Sequence, residues 1–175
     1  MNVIHMNHMN ALRRKLSKKK RKFTAGHDFK SADELTLSRE ELSDAVELNK
    51  IISVKIDSQL MFPTFQFDEE GKVYEVLQAH LPRLLAARSG WDICFWLFTE
   101  QTVVMRDVKT DAKQLEDISL AEVLRIGAIA DELTETCTAR PIELVAKADS
   151  ETFAAFIEDL LAPDSRKIPV LETLK

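Results

Sequence analysis

Apolar residues recur at helical spacing in several stretches of this chain, and the strongest of them set out an order of elements. Leu42, Ala45 and Val46 follow Ser38-Arg39-Glu40-Glu41. That tetrapeptide is a capping box, in which the Ser38 hydroxyl accepts from the Glu41 amide and the Glu41 side chain reaches back. A second helix is read from about Leu48 to Ile56, with Ile51, Ile52 and Val54 facing inward and Asn49, Lys50, Ser53 and Lys55 facing outward. With a tight corner near Glu47, the two predict a helix-turn-helix-like unit.

Leu60 to Phe67 then reads as an apolar extended connector, because Pro63 disfavours helix at Phe62. Asp68-Glu69-Glu70-Gly71 turns the chain. Val73, Val76, Leu77, Leu81, Leu84 and Leu85 predict a helix over Lys72 to Arg88 that Pro82 kinks or divides, with His80 on its apolar stripe as a satisfied core histidine. Trp91 to Phe98 (WDICFWLF) is the most hydrophobic run and reads as a buried helix, although a strand of that composition also fits. Thr102 to Met105 suits a short strand or a helix continuation, and 107–117 a polar loop. A second capping box, Ser119 to Glu122, opens a helix whose buried side is Val123, Leu124, Ile126, Ile129, Ala130 and Leu133. Arg140-Pro141 breaks it, Ile142 to Ala146 is strand or helix, and Ser150 caps a last amphipathic helix ended by Pro163.

The expected fold is therefore mainly α: a small helix-turn-helix-like unit, then a compact helical domain with at most a few short strands. The expected divisions are a flexible basic arm at 1–33, the helix-turn-helix-like unit and connector at 34–67, a helical partner-binding domain at 68–163, and a loose tail at 164–175. Residues 1–33 are placed outside the fold because they hold few branched aliphatics to offset the entropy of ordering.

Charge changes this picture. Eight of the ten residues from Arg13 to Lys22 are basic: Arg13, Arg14, Lys15, Lys18, Lys19, Lys20, Arg21 and Lys22. The whole chain has 24 basic and 29 acidic residues, so the remainder holds 16 against 29, a net charge of −13. A dense cationic segment beside an acidic body is usually an arm for a polyanion such as nucleic acid, or for an anionic membrane surface. Leu12, Leu16 and Phe23 give that arm only a thin apolar face, which favours nucleic acid over lipid. Cys94 and Cys137 lie far apart without a CxxC or CxxH partner and read as free thiols of a reducing, cytoplasmic compartment. No window approaches 18 uninterrupted apolar residues, so no membrane span is expected.

Catalytic signatures are missing. There is no GxxxxGK[ST], GxGxxG, HExxH or GxSxG. The carboxylates cluster as DEE, EE and ED in turns and on predicted solvated faces, a surface-charge pattern. His5 and His8 have no carboxylate partner for a metal. The expectation is a binding protein, not an enzyme, with no cofactor and no metal.

One string is more distinctive than composition. Phe62-Pro63-Thr64-Phe65-Gln66-Phe67, an acidic turn with Gly71, an amphipathic helix and then Trp91…Phe95-Trp96-Leu97 resembles antitoxins of the Xre/MbcA/ParS type over roughly residues 36–132. The Gly-x-x-Pro usual after the Trp-Leu helix is replaced here by Arg106-Asp107-Val108-Lys109-Thr110, and 135–175 has no counterpart. The resemblance implies a DNA-binding transcriptional regulator that dimerises, binds operator DNA and neutralises a protein toxin. On that reading the eight arm cations with Asn49, Lys50, Ser53 and Lys55 contact double-stranded DNA, while Trp91, Trp96 and Phe98 anchor the partner. The alternative is an immunity or adaptor protein without DNA function, whose acidic body binds a basic effector.

Overall fold

The structure is a computed structural model. It describes residues 3–106, 119, 121, 124–125, 128 and 135–162, apart from the side chains of 3–8 and Arg106. The chain forms two compact units, Met1–Leu97 and Phe98–Lys175.

The first unit opens with α1 (Val3–Gly26). Strand β1 (Phe29–Lys30) and a 3-10 turn at Ala32–Glu34 lead to α2 (Arg39–Glu47). Strands β2 (Val54–Ile56) and β3 (Gln59–Pro63) follow, then a 3-10 turn at Thr64–Gln66, α3 (Glu75–Ala87) and α4 (Gly90–Leu97). The strands make an antiparallel sheet in the order β1-β3-β2. In the second unit β4 (Gln101–Arg106) pairs antiparallel with β5 (Glu135–Ala139). Helices α5 (Pro141–Ala146) and α6 (Ser150–Leu161) complete its described part, with Val103, Leu144, Val145, Phe153, Phe156 and Ile157 buried.

The expectation of a mainly α chain is thus corrected to a mixed α/β fold, and the helix-turn-helix-like unit is not formed. Its first helix is present as α2. The Ser38 hydroxyl accepts from the Glu41 amide at 3.2 Å while the Glu41 carboxylate accepts from the Ser38 amide at 2.9 Å. Hydrogen bonding to the carboxylate from Ser38, its hydroxyl first and its amide second, lowers the Glu41 carboxyl from its ordinary value. The second helix is replaced by a reversal and a hairpin. Asn49 takes a left-handed conformation (φ 55°), and the Lys50 amide returns to the Ala45 carbonyl at 2.7 Å as the Asn49 amide returns to Val46. These two bonds are a Schellman stop, which asparagine tolerates better than most residues.

Seven residues after Lys50, β2 turns into β3 through Asp57 and Ser58, both at positive φ (47° and 69°), with Ile56 opposite Gln59. That is the two-residue turn whose twist matches a β-hairpin. A second Schellman stop ends α5 at Ala148 (φ 56°), where the Asp149 amide bonds the Leu144 carbonyl. Asp149, not Ser150, then caps α6, accepting from the Thr152 amide at 3.1 Å.

Between the α2 stop and β2, Ile52 is fully buried and its peptide has no ladder to join. The Gln66 side chain, also fully buried, supplies the missing pairing. Its Oε1 accepts from the Ile52 amide at 2.6 Å, and its Nε2 donates to the Ile52 carbonyl at 2.9 Å and the Pro63 carbonyl at 3.0 Å. One side chain thereby satisfies three backbone groups that would otherwise be buried without partners. Around this clamp Leu42, Ile51 and Phe62 pack with Leu35, Leu37, Ala45, Val46, Phe67 and Val73. The Asp68–Gly71 turn forms as expected: Asp68 Oδ1 accepts from the Glu70 and Lys72 amides, and Gly71 sits at φ 79°.

Helix α3 continues through Pro82, burying Val76, Leu77, Leu81 and Leu84. Helix α4 is the expected buried helix. Ser89 and Asp92 bracket its start, with the Ser89 hydroxyl donating to the Asp92 carboxylate. A Cβ built on Gly90 would overlap the Ser53 carbonyl oxygen, so only glycine lets α4 begin against the chain entering β2. The helix expected after Ser119 and the loop expected at 107–117 lie largely or wholly outside the described residues, as does the tail at 164–175.

Gln66→Leu keeps the volume of the clamp but orphans the Ile52 amide and carbonyl. A loss of roughly 2–4 kcal/mol is expected, read as a lowered urea midpoint with an unchanged slope. An unaltered midpoint would mean that these groups do not depend on Gln66.

Candidate nucleic-acid interface

Helix α1 carries all eight cations of the basic segment and no carboxylate along its 24 residues. The expectation of a flexible arm is corrected here, because residues 3–26 are helical. Local chemistry allows this. From Ala11 to Lys22 the segment is Ala, Leu, Arg, Lys and one Ser, mostly the strongest helix formers. Opposing them are like-charge pairs four residues apart, Arg14 with Lys18, Lys15 with Lys19 and Lys18 with Lys22, each costing a few tenths of a kcal/mol.

The end of α1 is fastened to the first unit by aromatic packing. The Phe23 ring stacks on His27 at 4.0 Å. It also meets Phe29, Phe65, Trp91 and Phe95 edge-on at centroid distances of 6.4, 6.3, 6.3 and 5.4 Å. Edge-on approach places the positive rim of one ring against the negative face of another, worth about 0.5–1.5 kcal/mol per pair beyond burial. His27 Nδ1 lies 2.9 Å from the Phe23 carbonyl oxygen and donates to it, satisfying an acceptor at the helix end. Lys19 Nζ lies 4.1 Å over the Phe95 ring and Lys20 Nζ 5.0 Å over Trp91, two cation–π contacts that brace the same end.

Residues 9–19 of α1 are exposed, and Met9, Leu12 and Leu16 line one side of it at 40%, 46% and 46% exposure. At 3.6 residues per turn the cations fall into rows: Arg14, Lys18 and Arg21; Lys15, Lys19 and Lys22; and Arg13 with Lys20. The apolar stripe and Phe23 occupy the remaining side. Among the described residues no carboxylate comes within 4.0 Å of any of the eight cations; the ion pairs there are Arg39–Asp33, Lys72–Glu70 and Arg140–Glu143.

The other expected contact residues are not brought together. Asn49 is committed to the left-handed stop after α2, and Lys50 follows it, exposed. Ser53 is half-buried, with its carbonyl against Gly90. Lys55 is exposed on β2. No recognition helix presents these four side chains. Of the expected partner anchors, Trp91 and Trp96 are each 8% exposed, which is the core use of such residues, and Phe98 is half-buried. Among the described residues Trp91 Nε1 is buried without a hydrogen-bond partner, its ring being held by packing and by the Lys20 contact.

Sequence reasoning missed Phe23, His27, Phe29 and Phe65 as anchors; the only signal was an isolated aromatic at each position. Burial pushes the Cys94 thiol up to about 12, which keeps it protonated and unreactive at neutral pH. Among the described residues there is no group of three or more His, Cys, Asp or Glu side chains fit to hold a metal, and no helix long and apolar enough to cross a membrane. A groove of about 580 Å³ in the first unit is lined by Leu42, Val46, Leu60 and Phe62, with Asp33, Arg39 and Glu47 as its charged residues.

Comparison with protein-family models, curated proteins and solved structures finds no match to this chain.

Phe23→Ala removes the ring on which the other aromatics converge. It is expected to cost about 2 kcal/mol and to speed amide exchange selectively over residues 19–26. Exchange there at the wild-type rate would show that α1 is held by something else.

Proposed function

We propose that this protein binds nucleic acid by gripping the phosphate backbone with α1. The observation that supports this is a carboxylate-free helix whose eight cations form no ion pair among the described residues. Cations without such pairs offer an external polyanion their full attraction, and its condensed counterions are released on binding. The rest of the chain, at net −13, repels the same ligand and confines contact to α1. Bound phosphates also relieve the like-charge repulsion along α1, so binding and helicity reinforce each other. A gene-regulatory role of the antitoxin kind needs an element that reads bases, and residues 38–56 do not provide it as a recognition helix.

Replacing Arg13, Arg14, Lys15 and Lys18 together with Gln leaves the Phe23 anchor intact. It is expected to lower the slope of log K against log salt by about 2 to 4 and to abolish binding at 0.15 M salt. Unchanged affinity and slope would remove α1 from the interface.

A second reading draws on the groove beside α2. Its apolar floor and the acidic residues Asp33 and Glu47, which outnumber the one cation Arg39, suit a cationic amphipathic segment of another protein. Here Glu47→Lys should weaken binding of a basic amphipathic peptide several-fold without touching nucleic-acid affinity; equal peptide affinity in both proteins would eliminate this reading.

A further inference from the structure

Resting on that phosphate-binding reading, we infer that α1 enters the major groove of B-form duplex DNA with the Arg14–Lys18–Arg21 row facing the base edges. The way α1 is fastened fixes which side is available. Phe23, Lys19 and Lys20 turn toward α4, where Phe95 and Trp91 hold them. The side opposite Phe23 on the helix is the Arg14–Lys18–Arg21 row, spaced at i, i+4 and i+7, which therefore faces away from the anchor.

Cations also stand on both flanks of that row. Arg13 lies on one side, and Lys15 with Lys22 on the other; Arg13 and Lys22 are nine residues apart, about two and a half turns, and so point in opposite directions. A flat anionic surface or a single strand can engage only one such face at a time. A groove engages the outward row and both flanks together. The major groove of B-DNA is about 12 Å wide, against a helix diameter of about 10–12 Å, and has phosphates along both walls. With Arg13, Lys15 and Lys22 on those walls, Arg14 and Arg21 meet base edges, where an arginine fork suits the O6 and N7 acceptors of guanine.

Two other nucleic acids fit less well. The A-form major groove is too deep and narrow for this insertion. Single strands are held chiefly by stacking on exposed aromatics, and the one aromatic of α1, Phe23, is spent on the anchor.

The full-length protein is titrated with a DNA duplex of about two helical turns, with each strand alone, and with an RNA duplex of the same sequence, over a range of salt. The DNA duplex is expected to bind at least about tenfold tighter than the other three probes. Arg13→Ala and Lys22→Ala, on opposite flanks, should each lower its salt slope by about 0.9, whereas Lys19→Ala should leave the slope near the wild-type value. Arg14→Ala should cut affinity for a guanine-containing duplex about tenfold more than for one built of A·T pairs. Equal binding of single strands or of the RNA duplex, or a slope change confined to one flank, would overturn groove entry while leaving phosphate binding standing. Failure of all four probes to bind would overturn the phosphate-binding reading itself.

Discussion

The insertion of the Phe23 ring among Phe29, Phe65, Trp91 and Phe95 makes a cationic tract part of a folded unit. Without it α1 would be a helix held only by its own propensity and opposed by its own charge. With it, one end is fixed, the rotation of the helix about its axis is set, and Lys19 and Lys20 are drawn onto aromatic faces. The cations remaining on the other sides inherit an orientation that their sequence alone does not give them. The anchor works because it is aromatic on every side: rings meeting edge-on fix angles as well as distances, which aliphatic packing does less sharply.

That anchor needs its own support, and the Gln66 clamp supplies it. Trp91 and Phe95 lie on α4, whose first residue, Gly90, touches the chain at Ser53. Ser53 is the neighbour of Ile52, and the Ile52 peptide is held by Gln66. The same 3-10 turn that buries Gln66 carries Phe65, one of the rings facing Phe23. A buried amide and an aromatic cluster thus share one short segment, Thr64–Gln66. The distinctive string Phe62 to Phe67 has a physical meaning on this basis: Phe62 fills the core, Pro63 ends β3, Phe65 meets the helix anchor and Gln66 completes a strand-like pairing.

Much of this was legible in the residues. The capping box at Ser38, the Asp68–Gly71 turn and the buried WDICFWLF helix follow from local rules that tertiary context did not override. The hairpin was not legible as such, because Ile51, Ile52 and Val54 also fit a short helix and the Asp57-Ser58 turn lacks the glycine that usually marks it. Asn49 looked like a base-reading side chain, but its left-handed backbone is what asparagine contributes there. The helicity of α1 was hidden by its scarcity of apolar residues; propensity and a single aromatic contact point outweighed that scarcity. The site was half visible: composition pointed to the eight cations, whereas Phe23 and its partners are far apart in sequence and only the fold brings them together.

The decisive measurement is an NMR titration of the isotope-labelled full-length protein with a short DNA duplex at low salt, followed amide by amide. Perturbation concentrated on residues 9–22, with Asn49 to Lys55 unmoved, is the result expected if α1 is the interface. Perturbation centred on Asn49 to Lys55, or no response at any amide while the protein stays folded, would contradict it.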